Sequence, residues 1–147
     1  MFRQLDDREM RELLARNHVG RIAYSFHERV DIEPIHYVYE DGWLYCRTST
    51  GAKLSTLSHR PWIAFEADEV DDVFDWRSVV VHGVVFQLFD EGSNSDRQQY
   101  ARAVGLLRQL VPGTLADDDP VPFRGVVLGI HVDRMTGRAA SSRQGGA

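Results

Sequence analysis

The sequence predicts a mainly β, α+β fold: about six antiparallel strands closed into a small barrel, with about three flanking helices. Three observations predict it. Strand-like runs dominate, and turn signals rather than helical stretches separate most of them. One run, "WRSVVVHGVVFQLFD" from Trp76 to Asp90, is too long for a flat sheet and carries Gly83 as its bend point. Helical periodicity is confined to three stretches. Closure into a barrel removes the free edges that such strands otherwise leave.

The elements follow in order. Asp6 or Asp7 can cap a first helix, with Met10, Leu13 and Leu14 on one face at spacings of three and four. Asn17-His18 ends it, and "VGRIAYSF" reads as a strand. In "VDIEPIHYVYE" the apolar residues Val30, Ile32, Ile35, Tyr37 and Tyr39 alternate across Pro34, which suits an edge position or a bulge. Asp41-Gly42 signals a hairpin, and "WLYCRT" is the return strand. From Gly51 to Arg60 the period changes. Leu54 and Leu57 are three apart and Pro61 closes the stretch, which predicts a short helix.

"WIAFEAD" is the next strand. The acidic-aromatic stretch "EADEVDDVFDW" reads as a loop at a rim or interface before the long strand. Ser95 with Gln98 has capping-box spacing. Tyr100, Val104, Leu107 and Leu110 or Val111 then mark an amphipathic helix that Pro112-Gly113 ends. An Asp- and Pro-rich loop leads to "GVVLGIHVDRM", the last strand. A single domain is expected over residues 1–135, with a polar, flexible tail over 136–147.

Composition excludes several function classes. A chain of 147 residues builds one domain with its own core. The net charge of −5 leaves no broad basic surface for nucleic acid. No apolar run approaches the ~20 residues of a membrane span, and the charged stretch from Met1 to Arg11 has no signal-like apolar region. Cys46, the single cysteine, cannot form an internal disulfide, which suits a reducing, cytoplasmic setting.

The chemistry concentrates in "YCRTSTGAKL", from Tyr45 to Leu54. Arg47, Thr48, Ser49, Thr50 and Lys53 place two cations and three hydroxyls within seven residues. A helix starting at Gly51-Ala52 would add free backbone N–H groups, and its dipole favours an anion. The stretch therefore fits two readings, a capped strand-to-helix turn or a phosphate cradle; Walker-type spacing is absent. Arg77 and Ser78 open the long strand, where a guanidinium beside a hydroxyl suits a second phosphate or polar contact. The six histidines show no metal-site spacing, and no serine sits in a nucleophile elbow, so no metal site or hydrolytic nucleophile is expected.

Three segments carry a resemblance: "LLARNHVGRIAYS", the run from "IEPIHYVYEDGWLYCRTSTGAKL" to "RPWIAFEAD", and "WRSVVVHGVVFQL". In this order, over roughly residues 5 to 135, the chain resembles the FMN-binding split-barrel proteins of the pyridoxamine 5′-phosphate oxidase-like superfamily. The branch it most resembles is related to nitroimidazole-resistance proteins. The resemblance implies a six-stranded split barrel and a homodimer with flavin sites in clefts at the subunit interface. It implies that Thr48, Ser49, Thr50 and Lys53 hold the flavin phosphate, with Arg47 and Leu54 also among the cofactor-binding residues. Trp76, Arg77, Ser78 and Val79 would contribute from the long strand, with Ile35 and His36 along the ring.

The expected activity is FMN-dependent oxidoreduction of a small molecule. The chain lacks the R-L-x-P ending of pyridoxamine-phosphate oxidases, which argues against that substrate. The alternative is a non-catalytic protein holding flavin, deazaflavin or haem on the same fold.

Overall fold

A computed structural model of the chain describes residues 1–142. It contains β1 (Phe2–Gln4), α1 (Asp7–Arg16), β2 (Val19–Phe26), β3 (Arg29–His36), β4 (Val38–Glu40) and β5 (Trp43–Thr48). These are followed by α2 (Ala52–His59), β6 (Trp62–Asp72), β7 (Asp75–Leu88), α3 (Asn94–Leu110) and β8 (Val126–Ala140). The eight strands form one antiparallel sheet in the order β3-β2-β6-β7-β8-β5-β4, with β1 added against β8. Among the described residues no ladder joins β3 to β4. The sheet curls but stays open, so the α+β split barrel stands, with eight strands where about six were expected. Among the described residues no helix is long and apolar enough to cross a membrane.

Local chemistry sets the elements. Asp6 caps α1 by accepting from the Glu9 amide, and Glu9 answers in a capping box. Met10, Leu13 and Leu14 then face the core. The expected strand across "VDIEPIHYVYE" is two strands at opposite ends of the sheet. Pro34 lies in β3, which has a neighbour on one side only, as an edge proline requires.

The chain changes ends at Tyr37. Its amide donates to the His18 carbonyl at 3.0 Å, and its hydroxyl donates to the Leu14 carbonyl at 2.8 Å. The fully buried ring meets Phe65 edge-on at 4.9 Å. Alternation ran unbroken through the sequence because Ile35 of β3 and Tyr37, in the link between β3 and β4, both lie in the core. Asp41 and Gly42, both with positive φ, make the two-residue turn into β5.

Two expected boundaries are corrected. The "EADEVDDVFDW" stretch is a hairpin rather than a loop: β6 runs to Asp72, and Val73-Phe74 makes the turn. Its acids are tolerated in a strand because they meet arginines: Glu66 and Asp68 meet Arg21, and Glu69 meets Arg16 and Arg77. The cap of α3 is Ser93 with Asp96, not Ser95 with Gln98. Both pairs have the same spacing, and the earlier one takes the helix start.

Gly83 is the bend of β7. A Cβ there would sit 2.2 Å from the His131 carbonyl oxygen, and the β7–β8 register shifts between His82 and Gly83. β8 continues past residue 135 to Ala140, paired with β7 and β1. Residues 136–140 are therefore strand rather than tail. Ala139 and Ala140 are buried, and a Cβ on Gly137 would meet Leu5 and Met10 within 3.0 Å. The rest of the expected tail, 143–147, lies outside the described residues.

Among the described residues two apolar clusters result. The main core fills the curl of the sheet around Ile22, Leu44, Phe65, Val81 and Ile130. On the opposite face, Val104 and Leu107 of α3 pack on Tyr45 and Val127. α3 thus covers the β5–β8 part of the outer face. Val30 and Ile32 of β3 and Trp62 of β6 remain exposed.

Candidate functional site

β5 delivers the chain to a cleft of about 470 Å³. Arg47 and Thr48 end the strand, and Ser49, Thr50 and Gly51 turn the chain into α2, where Lys53 sits in the first turn. Gly51 has φ +155°, a value that L side chains rarely adopt, and a Cβ there would meet nothing within 4 Å. Glycine is needed for conformation here, not for space. No side-chain oxygen caps α2, so the amides of its first turn lack the partner that a serine or aspartate would supply. Among the described residues, the hydroxyls of Thr48, Ser49 and Thr50 make no hydrogen bond with the protein. The opposite wall is Glu33, Pro34 and Ile35 of β3, and the mouth is closed by Phe123 and Arg124.

The charges of the cleft differ in their freedom. Lys53 forms an ion pair with Glu33. Arg47 is buried, and its guanidinium is engaged: Nη2 meets Asp119 at 2.5 Å and Nε donates to the Arg124 carbonyl at 2.8 Å. A further bond runs to the Val121 carbonyl at 3.1 Å. The Arg47 guanidinium holds the Asp119 carboxyl well below the usual carboxylate range against desolvation, and the Val121 and Leu115 amides reinforce it. Arg124 has no ionic partner among the described residues; its guanidinium lies 5.8 Å over the Phe123 ring.

The other predicted positions divide. Ile35 lines the cleft and is buried. His36 lines an adjoining hollow of about 40 Å³ together with Arg47 and Arg124. Leu54 packs against the core behind the cleft. Burial pushes the Cys46 thiol up to about 12, with Lys53 opposing, so Cys46 is no nucleophile at neutral pH.

Trp76, Arg77, Ser78 and Val79 do not line this cleft within the chain. Arg77 donates to Glu69 at 3.1 Å, Ser78 donates to Glu66 at 3.1 Å, and Val79 is core. The Trp76 ring lies 6.3 Å from that of Phe2. A second, more open hollow of about 680 Å³, between the start of α1 and β8, contains none of the predicted residues.

Sequence reasoning missed Glu33, Asp119, Phe123 and Arg124. Glu33 stood beside Pro34 as an ordinary strand acid. The other three lie in an aperiodic loop more than 65 positions from the turn they join. The available signal was strand pairing, because Thr48↔Val126 brings the start of β8 to the end of β5.

The pyridoxamine 5′-phosphate oxidase family matches the chain over residues 6–139. An uncharacterised protein of Rhizobium meliloti (strain 1021) is 28% identical over 149 residues, covering 94% of this chain and 95% of its own length. The crystal structure of an FAD-binding protein from Mesorhizobium loti aligns with a TM-score of 0.77 at 26% identity, over 96% of this chain and 99% of that one. An FAD-binding protein from Mycobacterium smegmatis aligns with a TM-score of 0.65 at 23% identity, over 94% and 98% of the two chains.

Proposed function

The chain belongs to the pyridoxamine 5′-phosphate oxidase family, and from that premise we propose that it is a flavin-dependent oxidoreductase holding FMN in the cleft at the end of β5. The observation that carries the reading is the Thr48–Lys53 turn. Three unpartnered hydroxyls, an uncapped helix start and a lysine share one cleft, and their donors suit a phosphate ester. Thr48, Ser49, Thr50 and Lys53 would bind the phosphate. Ile35 gives the cleft an apolar wall for a ring, and His36 lies beside it. The flavin supplies hydride or electron transfer, and the protein supplies binding and orientation. Nothing in the cleft resembles a hydrolytic constellation, and Cys46 is inert.

A homodimer is part of the proposal. Val30, Ile32 and Trp62 leave an apolar part of the sheet face uncovered, which a second copy would bury. That arrangement would let Trp76, Arg77, Ser78 and Val79 of one copy approach the cleft of the other. Net charge −5 and one buried cysteine suit a cytoplasmic protein with a small-molecule substrate.

The test is the spectrum of the purified protein and of the chromophore released by acid, followed by titration with FMN. Lys53→Ala should weaken FMN binding far more than folding. A colourless protein that takes up neither FMN nor FAD would end the flavin reading. NADH or NADPH oxidation with an added acceptor, absent from the apoprotein, is the expected sign of turnover.

A further inference from the structure

We infer that Arg124 is a second cation, beside Lys53, that this cleft presents to its ligand's phosphate, and that the buried Arg47–Asp119 pair is the device that positions it. The inference rests on the flavin reading only for the identity of the molecule that carries the phosphate.

The cleft has three cations, and two are already neutralised: Lys53 by Glu33 and Arg47 by Asp119. A phosphate monoester brings about −1.5 to −2 charges at neutral pH. Lys53 must give up Glu33 to meet it, and Arg47 cannot turn without stranding a buried carboxylate. Arg124 has nothing to give up. The residue is half-buried at the mouth, its guanidinium lies over the Phe123 ring with no side-chain hydrogen bond or ion pair among the described residues, and it offers the forked donors that match phosphate oxygens.

The backbone beneath it is fixed although it belongs to no helix or strand. Asp119 accepts from the Leu115 amide at 2.8 Å and the Val121 amide at 3.0 Å. The Arg124 amide donates to the Val121 carbonyl at 3.0 Å, and its carbonyl accepts from Arg47 Nε at 2.8 Å. Arg47 and Asp119, with side chains 8% and 2% exposed, are thereby removed from ligand contact. They fix where Arg124 emerges. Arg47 is accordingly a positioning residue, and Arg124 takes the contact that the cleft's charge requires.

The experiment is titration of FMN and of riboflavin, which lacks the phosphate, into wild type, Arg124→Gln, Arg124→Lys, Asp119→Asn and the Arg124→Gln/Asp119→Asn double variant. Arg124→Gln should weaken FMN by about tenfold or more while leaving riboflavin within twofold, and Arg124→Lys should restore part of the loss. Asp119→Asn should weaken FMN too. In the double variant it should add nothing to Arg124→Gln, an absence of additivity that a general loss of structure would not produce. FMN affinity unchanged by Arg124→Gln, or riboflavin weakened equally, overturns the assignment and leaves the flavin reading standing. If wild type binds no flavin, the flavin reading falls, and pyrophosphate and ADP become the probes. Binding that Arg124→Gln abolishes supports the assignment, and binding it leaves intact, or no binding by wild type, overturns it.

Discussion

Glu33→Gln should make the cleft bind FMN more tightly, because Glu33 competes with the phosphate for Lys53. The Lys53 and Glu33 side chains are 18% and 39% exposed. Two unit charges about 4 Å apart are worth about 1 kcal/mol in water and about 4 kcal/mol at an effective dielectric constant of 20. With Glu33 more than a third exposed, screening sets the pair near the lower figure, about 1 kcal/mol. A phosphate reaching Lys53 must break that pair or bear the repulsion of the carboxylate beside it. Glutamine keeps the shape and removes the charge. The gain is then about 1 kcal/mol, roughly a fivefold fall in the FMN Kd. Folding should change by less than about 1 kcal/mol, the range of an exposed pair. Quenching of FMN fluorescence measures the Kd, and the gain should shrink in 0.5 M salt and be absent for riboflavin. If the variant binds FMN no better than wild type in dilute salt, Lys53 is not the phosphate's partner.

Two further predictions concern the frame of the site. Tyr37→Phe leaves the Leu14 carbonyl at the end of α1 without its buried donor; it should cost about 1–2 kcal/mol, or roughly 2–8 °C in melting temperature, and an unshifted melt would show that this bond contributes nothing. Glu69 is pulled down from 4.5 to about 2, first by its hydrogen bonds from Arg16, then by Asn17, against a desolvation that opposes them. Its stabilising contribution is therefore present above pH 4.5 and lost as pH falls toward 2. Glu69→Gln should be less stable than wild type at pH 7, with the urea midpoints converging toward pH 2; a gap independent of pH would refute the ion pair as its cause.

Signals carried within a few residues were legible. The Asp6 cap, the Asp41-Gly42 turn and the Thr48–Lys53 turn each depend on neighbours in sequence. What was illegible depends on contacts between distant segments. Alternation could not show that the chain changes sheet ends at Tyr37, since the residues on both sides of the break face one core. Charge patterning made "EADEVDDVFDW" look like a loop, because the arginines that offset its acids come from α1, β2 and β7. Arg47 read as a free cation because Asp119 is 72 positions away. Arg77 and Ser78 lie near the start of the long strand, as expected. Their partners in this chain, Glu69 and Glu66, were hidden because the hairpin that aligns them was not expected.

The place of β8 in the sheet bears on how the protein is made. β8 follows every other element in the chain, yet it lies between β7 and β5 and also takes β1. On the ribosome, at about 5–20 residues per second, all the strands of β3-β2-β6-β7 and of the β4–β5 hairpin are made before the strand whose ladders join the two. The cleft straddles that seam, with Glu33 and Ile35 on one side and Arg47 and Thr48 on the other. Arg124 arrives just ahead of the joining strand. A chain that stops short of β8 has made the β3 and β5 walls of the cleft but lacks the ladders that set β5 beside the rest of the sheet.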